Sequence, residues 1–242
     1  MIDTPFTAVI VEPRKHSCLE YVLNNFNEGL DNRWQFLIIH GNDNKEFVKN
    51  IVDKLTTRKI TLKNINVGNY SIEEYNLLFY DKNFYDLIPT EIFLVFQTDT
   101  LVCLKNKHLI NEFLQYDYVG APWAHYVGVP RDDKRVGNGG LSLRRKTKML
   151  EILEKGKHLK LQPNGTHWCE DVFFSLISKN IPDLFLYRPD FEKAKKFAVE
   201  TVFHNESFGT HKGWAFTKSE SELLQYKNSF PEVTELLKIS KN

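Results

Sequence analysis

The stretch EIFLVFQTDTLVC, residues 91–103, decides the fold that the sequence predicts. An apolar run, 92–96, is followed by the polar residues Gln97, Thr98 and Asp99, after which the apolar pattern resumes. An unpaired charge in a dry interior is strongly unfavourable. We therefore expect Asp99 to end a buried strand, where water, a metal ion or another partner reaches it. The alternative is an aspartate that only opens a turn.

The same succession of strand and helix precedes this stretch. Runs of β-branched or alternating apolar residues predict strands, and apolar residues at helical spacing predict helices. The successive pairs of strand and helix are 7–11 with 16–26, 34–41 with 44–55, and 60–67 with 71–89. This alternation predicts the α/β class, with a mainly parallel open sheet flanked by helices. In such sheets ligands bind beyond the carboxyl ends of the strands, which is where Asp99 is expected.

The length of 242 residues suits a single domain with one sizeable core. From about residue 120 the chain is richer in Gly, Trp and short elements, and we expect a small antiparallel addition to the sheet in this second half. The last stretch, 219–242, has the pattern of two helices with polar faces, which we expect to pack at the periphery.

Composition and charge exclude several classes of protein. The 32 basic and 31 acidic side chains leave a net charge of +1, which does not favour a nucleic-acid partner. The opening residues lack the pattern of a secretory signal, and the longest apolar run, 92–96, is too short to cross a bilayer. Three well-separated cysteines predict neither a disulfide framework nor a structural zinc site. We therefore expect a cytoplasmic protein without a membrane span.

Three later stretches combine glycine with polar or aromatic residues: GAPW (120–123), GNGGLSLRR (137–145) and FHNESFGTHKGW (203–214). Glycine lets the backbone approach a ligand closely, although glycine clusters also serve plain hairpins. In the third stretch His211 and Lys212 share a loop with glycines, which fits contacts to a diphosphate or a metal ion.

An acidic pair opens the apolar helical pattern of HWCEDVFFSLI, residues 167–177. Glu170 and Asp171 could simply complement the helix dipole in the first turn. An acid in this setting is also well placed to accept a proton from a bound hydroxyl group. The sequence alone leaves both interpretations open.

Together these stretches carry a resemblance to known enzymes. LVFQTDTLV resembles the metal-binding strand end of GT-A glycosyltransferases, with their Asp-x-Asp motif altered to Gln97-x-Asp99. The ordered set QTDT, GAPW, GNGGLSLR, EDVFFS and HKGW resembles a little-characterised glycosyltransferase-like family of large DNA viruses and cellular organisms. The resemblance covers roughly residues 7–214.

The resemblance implies a single GT-A-like domain over residues 1–242. It would have a nucleotide-binding half to about residue 103, a half for donor sugar and acceptor over about 104–214, and peripheral helices over 215–242. The implied activity is transfer of a hexose from a nucleotide-diphosphate sugar, with UDP favoured, to a glycan or another hydroxyl acceptor.

The resemblance also implies a divalent metal ion, Mn²⁺ or Mg²⁺, held by Asp99 and His211. Such a cation spreads the negative charge that develops on a departing diphosphate, and Lys212 could neutralise phosphate as a point charge. Gln97 replaces a carboxylate of the usual motif, so metal affinity could be weak. A metal-independent enzyme, in which Lys212 or Arg144 takes over part of the cation's task, also stays open.

Further roles follow from the resemblance. The implied donor contacts are Val11, Glu12, Arg14, Gln97, Thr98, Asn138, Gly139, Gly140 and Lys212. For Arg14 a solvated surface loop is an equal alternative. Asp171 would be the general base of an inverting transfer, with its neighbour Glu170 as the second choice. Trp123, Trp168 and Trp214 could stack on sugar rings, although tryptophan more often packs in a core.

Two other functions compete with this one. A nucleotidyltransferase acting on a sugar phosphate usually needs a phosphate loop rich in glycine, arginine and lysine after the first strand, and VEPRKHSCLE (11–20) has no glycine. A non-catalytic carbohydrate-binding relative would explain Gln97 as a sign of lost catalysis. Retention of Asp99, His211 and the acidic pair favours the enzyme.

Overall fold

The computed structural model describes residues 4–55, 58–124 and 135–241. The strands are β1 (Phe6–Val11), β2 (Trp34–His40), β3 (Ile60–Asn64), β4 (Ile92–Val95), β5 (Thr100–Val102), β6 (Tyr118–Gly120), β7 (Ser142–Arg145), β8 (Ala198–Val199) and β9 (Gly209–His211). The α-helices are α1 (Leu19–Gly29), α2 (Lys45–Val52), α3 (Ile72–Tyr80), α4 (Lys82–Asp86), α5 (Lys146–Lys155), α6 (Glu170–Ser175), α7 (Phe191–Lys195), α8 (Glu220–Ser229) and α9 (Glu232–Ile239). Short 3₁₀ helices span Leu104–Glu112, Lys157–Leu159, Ile177–Asn180 and Gly213–Phe216.

The main sheet has the strand order β3-β2-β1-β4-β7-β6. The pairings among β3, β2, β1 and β4 are parallel, whereas β7 runs antiparallel to both β4 and β6. A smaller sheet has the order β5-β9-β8, with β5 antiparallel and β8 parallel to β9. The predicted fold class, a mainly parallel α/β sheet with a small addition from the second half of the chain, is confirmed.

Alternation along β1 explains how the sheet divides the core. Ala8 and Ile10 face an apolar cluster that includes residues of α1, α2 and α9, while Val9 and Val11 face a second cluster formed with α3, α4, α5 and α6. Successive side chains of a strand point to opposite faces, and helices cover both faces. This is why β1, β2 and β4 are nearly continuously buried, whereas the edge strand β3 alternates between half-buried and exposed residues.

Three boundaries differ from the sequence prediction. The helix expected over 71–89 breaks at Asp81, whose backbone is extended and whose side chain accepts a hydrogen bond from the Asn83 amide at 2.9 Å to begin α4. Strand β3 ends at Asn64 because that side chain accepts from the Asn66 amide at 2.7 Å, in a turn where Asn66 has φ of 57°. The sequence NKHLINEFLQY, 106–116, also has the pattern of a short helix, and there the structure has a 3₁₀ helix, Leu104–Glu112.

The last two helices close one side of the core. Tyr226 and Phe230 of the α8 region and Val233 and Leu236 of α9 are buried in the apolar cluster that also contains α1. Tyr21 of α1 donates a hydrogen bond to the Glu232 carbonyl at 2.8 Å, which joins the two ends of the described chain. These helices therefore cover apolar surface that α1 and the smaller sheet would otherwise expose. In the described part of the chain, no helix is both long enough and apolar enough to cross a membrane.

Candidate active site

A cleft of about 330 Å³ opens at the carboxyl edge of β1 and β4. Five of the donor contacts implied by the sequence line it: Val11, Glu12, Arg14, Gln97 and Thr98. Asp99 also lines it. Because β1 and β4 pair in parallel, their carboxyl ends lie side by side and bring together residues that are about 85 positions apart in the sequence.

The opposite wall of this cleft was not predicted. It consists of the loop that follows β3 and the first turn of α3, with Asn69, Tyr70 and Tyr75. The Tyr75 hydroxyl is buried near Gln97 but has no well-aligned hydrogen bond in the described part of the chain. The signal in the sequence was the capping box of Ser71 and Glu74, which places a helix start directly after a parallel strand and thus at the same edge of the sheet.

The Glu12 carboxylate fixes the first loop of the cleft. It accepts hydrogen bonds from the Arg14 amide at 2.9 Å and from two guanidinium nitrogens of Arg14 at 2.8 Å. Glu12 is buried, whereas half of the Arg14 side chain is exposed. Asn44 donates to the Glu12 and Arg14 carbonyls at 2.8 Å and holds the loop from behind. Arg14 is therefore an oriented cation at the rim rather than a loose surface side chain.

Asp99 lies in a tight turn between β4 and β5. The Thr100 hydroxyl donates to the Gln97 carbonyl at 2.7 Å, which sets the turn. Strand β5 pairs with β9 so that Thr100 lies opposite His211, and the Asp99 Oδ1 is 3.4 Å from the His211 Nε2. The Lys212 amide donates to the Asp99 carbonyl at 2.9 Å. The strand-end carboxylate therefore has a partner, supplied from a position 112 residues away in the sequence.

Glu200 flanks the other nitrogen of this histidine. Its Oε1 is 3.4 Å from the His211 Nδ1 and accepts a hydrogen bond from the Asn138 side chain at 2.7 Å. Sequence reasoning missed Glu200. The available signal was an acid directly after the short apolar strand β8, the same pattern that identified Asp99.

Charge and burial tune this row of side chains. Burial lowers the pKa of His211, but the two carboxylates on either side more than offset it and raise the pKa to about 9. Burial raises the pKa of Asp99, yet the bond and charge of His211, with the charge of Lys212, bring it below its ordinary value. At neutral pH His211 is therefore an imidazolium beside an ionised Asp99.

The Lys212 backbone is in the left-handed region, with φ of 51°. Such a conformation is uncommon for a residue with a side chain and persists where the surrounding structure imposes it. Here this conformation lets the chain turn directly after β9 and leaves the Lys212 side chain exposed. The charge of Lys212 is one of the influences that lower the Asp99 pKa.

The glycine-rich loop joins the histidine to the acidic pair. A Cβ on Gly140 would lie 2.4 Å from the His211 ring, and one on Gly139 would lie 2.3 Å from the Glu170 Oε1, so both positions need glycine. The Gly139 amide donates to the Asp171 Oδ2 at 3.0 Å. Asn138, Gly139 and Gly140 thus lie between His211 and Asp171.

Glu170 and Asp171 have different environments. Glu170 receives two hydrogen bonds from Arg144, at 2.6 and 2.7 Å, and both side chains are buried. The Arg144 guanidinium also lies over the rings of Phe79 and Tyr118, 4.8 and 5.1 Å from their centroids. Both Glu170 oxygens therefore bind the buried Arg144 cation. Arg144, which the sequence offered as a substitute for the metal, is in turn committed to Glu170.

Asp171 is the acid of the pair that could exchange a proton near neutral pH. Burial and the adjacent Glu170 charge raise the pKa of Asp171 to about 7, against the lowering effects of the Gly139 and Val172 amides and Arg144. A general base works best when its pKa lies near the working pH. Asp171 meets this condition.

The tryptophans differ in their availability to a ligand. Trp123 is 6% exposed and packs with Val172 and Leu176 in a small apolar cluster. Trp168 is partly buried against the same cluster, and Trp214 is partly buried against the core beside α1. Little of the Trp123 ring is left for stacking on a sugar.

The chain belongs to the family described as "Protein of unknown function (DUF5672)", which it matches over residues 58–211. The matched range contains Asp99, the glycine-rich loop, the acidic pair, Glu200 and His211. It leaves out β1, β2 and the final helices. No curated protein matches the sequence.

Solved structures of similar fold are glycosyltransferases. Mouse xyloside xylosyltransferase 1 in its apo form is 10% identical, with a TM-score of 0.56 over 90% of this chain and 100% of that one. S. aureus TarS 1-349 is 9% identical, with a TM-score of 0.52 over 97% and 69%. The apo form of glycosyltransferase GlyE from Streptococcus pneumoniae TIGR4 is 10% identical, with a TM-score of 0.51 over 97% and 62%.

At such low identity these structures show the fold, which is of the GT-A type that the sequence predicted. The chain spans only 44% of another GlyE chain and 33% of the longer TarS chain. The activities of those whole proteins therefore enter only as a proposal for this chain.

Replacing Glu170 by Gln should strongly destabilise the fold. The change leaves the buried Arg144 charge without its counter-charge, a loss on the order of 3–5 kcal/mol in the free energy of unfolding. Urea unfolding followed by circular dichroism measures it. The control is Glu154→Gln, which removes an exposed carboxylate paired with Lys82 and Lys157. Exposed pairs contribute little, so equal losses in the two variants would contradict a structural role for the buried pair.

Replacing Asp171 by Asn should change how stability depends on pH. The pKa of Asp171 is raised from 3.8 to about 7, so between these values the folded state holds a proton that the unfolded state has released. Wild-type stability therefore falls as pH rises through this window. Asn cannot ionise, and the free energy of unfolding of the variant relative to wild type should increase from about pH 4 to about pH 7 and then level off. A difference that stays constant between pH 4 and pH 7 would show that the Asp171 pKa is ordinary.

Proposed function

We propose that this chain is a glycosyltransferase that moves a hexose from a nucleotide-diphosphate sugar, with UDP favoured, to a hydroxyl acceptor. The observation that carries the proposal is the meeting of Asp99 with His211, 3.4 Å apart, at the end of a cleft formed by β1 and β4. In a mainly parallel sheet this edge is where nucleotides bind. The GT-A fold of the similar structures adds support.

The cleft has the size and lining expected for the nucleoside part of the donor. Its volume of about 330 Å³ lies at the lower end of the range for small-molecule sites. Aromatic side chains from the α3 wall offer stacking surface, and the oriented Arg14 and exposed Lys212 offer positive charge near Asp99. The diphosphate would lie between these two cations.

The residues at the end of the cleft fit a divalent metal ion. The Asp99 Oδ1 and the His211 Nε2, 3.4 Å apart, are the types of atom that bind divalent ions, and both would hold the ion here. Such ions are commonly held by one or two protein ligands together with substrate phosphates. Residues 4–55, 58–124 and 135–241 contain no group of three or more His, Cys, Asp or Glu able to hold a metal, so binding of the ion would depend on these two side chains and the donor phosphates. When bound, the ion would offset charge on the departing diphosphate.

Glu200 would orient His211 for this task. Histidine ligands of metals usually donate their second nitrogen to a carboxylate, which fixes the ring and the tautomer. The Glu200 Oε1 lies 3.4 Å from the His211 Nδ1 and is itself held by Asn138. Gly140 against the ring leaves the imidazole little freedom to rotate.

Asp171 would serve as the general base. Its carboxylate would take the proton of the acceptor hydroxyl while the hydroxyl oxygen attacks the anomeric carbon and the bond to the diphosphate breaks with inversion. The electron pair of that bond leaves with the diphosphate, near Lys212. Because Glu170 is committed to Arg144, Asp171 is our choice for this step.

The metal role is tested by the effect of UDP and Mn²⁺ on melting temperature. A ligand at a hundredfold excess over its Kd stabilises the folded state by about 2.7 kcal/mol, which for a chain of this size corresponds to roughly 5–10 °C. Wild type should show such a shift with UDP and Mn²⁺ and a smaller one with UDP alone. Asp99→Ala should lose the manganese-dependent part, while the exposed control Asp53→Ala should keep it. An identical shift with and without Mn²⁺ in wild type would rule out the metal role.

The base is tested by the release of UDP from UDP-hexoses in the presence of hydroxyl acceptors. Asp171→Asn should lower the rate by about 10²–10⁴, the usual contribution of a general base, while its melting shift with UDP and Mn²⁺ stays intact. The wild-type rate should rise with pH through about 7, where the carboxyl group ionises. Asp86→Asn is the surface control. A variant that turns over normally would eliminate Asp171 as the base.

A further inference from the structure

A second cleft, of about 320 Å³, is lined by Glu200, whose carboxylate is also 3.4 Å from the His211 Nδ1. Its walls are the loop after β8, the 3₁₀ helix Gly213–Phe216 and the first turns of α8. It is nearly as large as the cleft at β1 and β4. Phe203 and Gly213 of its lining lie in the stretch 203–214 noted in the sequence, but none of its lining residues was among the implied site residues. The family match ends at residue 211, so α8 and the 3₁₀ helix lie outside the matched range.

The walls of this second cleft expose two phenylalanine rings. Phe203 is 42% exposed and Phe216 is 47% exposed, although both contribute to the cleft lining. The Phe203 ring lies 5.8 Å from the ring of the buried Tyr226 at its back. Gly213 makes room for this arrangement, since a Cβ there would lie 2.6 Å from the Tyr226 hydroxyl. A ligand that covers exposed aromatic rings beside a cleft buries their apolar surface, which favours binding there.

Polar groups surround these rings. Thr201, Thr217 and Gln225 offer neutral donors and acceptors. The charged residues of the lining are Glu200, Glu222 and Lys218, two carboxylates and one ammonium. Apolar rings beside neutral hydrogen-bonding groups suit a pyranose, which has a C–H face and a rim of hydroxyls. The excess of negative charge disfavours a phosphorylated or otherwise anionic ligand.

The second cleft connects directly with the site of the proposed reaction. Glu200 lines the cleft and at the same time contacts His211 and Asn138. Asn138 precedes Gly139, whose amide is bonded to the Asp171 carboxylate. Lys212 and Gly213 are consecutive, so the backbone that passes Asp99 also forms a wall of the cleft.

We propose that this second cleft binds the acceptor, and that the acceptor is an uncharged sugar stacked on Phe203 and Phe216. The inference rests on the proposed glycosyltransferase function and names its acceptor class. In this proposal Phe203 and Phe216, and not the tryptophans implied by the resemblance, stack on the acceptor sugar. The sequence pattern did not distinguish these two phenylalanines from core residues.

Saturation-transfer-difference NMR tests the inference with three neutral probes, the methyl β-glycosides of glucose, galactose and xylose, and one anionic probe, glucose 6-phosphate. At least one neutral glycoside should bind saturably, and glucose 6-phosphate should not. Phe203→Ala and Phe216→Ala should each weaken that binding by up to roughly tenfold, since a ring contact is worth about 0.5–1.5 kcal/mol beyond its buried area. Phe185→Ala, which truncates a ring that is 73% exposed elsewhere on the surface, should leave binding unchanged.

The outcomes separate this inference from the proposed function. If none of the neutral glycosides binds, or if the double variant with both phenylalanines truncated binds them as wild type does, the acceptor site is wrong. Because both rings are exposed, truncation should preserve the fold and the melting shift with UDP and Mn²⁺. A normal UDP shift without glycoside binding overturns the inference alone, whereas a missing UDP shift in wild type overturns the glycosyltransferase proposal itself.

Discussion

The buried ion pair of Arg144 and Glu170 is the interaction on which the site depends. Arg144 belongs to β7 in the main sheet, and Glu170 opens α6, so their paired hydrogen bonds at 2.6 and 2.7 Å fix the helix to the sheet. Burying two charges is costly unless donors and acceptors find partners, and the guanidinium also bonds to Ser142 and lies over the rings of Phe79 and Tyr118. The pair therefore sets where Asp171 stands, one residue further along α6.

From that fixed point a continuous set of contacts crosses the edge of the sheet. Asp171 holds Gly139, Asn138 holds Glu200, and Glu200 and Asp99 enclose His211. The lack of side chains at Gly139 and Gly140 is what lets the loop pass between Glu170 and the histidine. Besides burial, the charges of Asp99 and His211 shift each other's pKa, and the Glu170 charge raises the pKa of Asp171, so these protonation states depend on neighbouring residues.

In our proposal two clefts, one lined by Asp99 and the other by Glu200, take two different ligands. The first is built from strand ends of the parallel half, and the second from short elements after β8 and β9. Strand ends are rigid because the sheet fixes them, which suits a nucleotide shared by many enzymes. Loops and short helices vary freely in sequence, which suits an acceptor that differs from one enzyme to another.

The sequence by itself determined the order of strands and helices, the parallel sheet and the placement of Asp99 at a strand end, because period-two and period-3.6 patterns and the cost of a buried charge are local properties. It also marked Asp171, His211 and the glycines, through their resemblance to a known fold. Only the tertiary structure decided that Glu170 is bound to Arg144, that Glu200 joins His211, and that Phe203 and Phe216 face a cleft. Those facts depend on pairings such as β5 with β9, between residues far apart in the chain, and no local pattern records which distant side chain will fill a given contact.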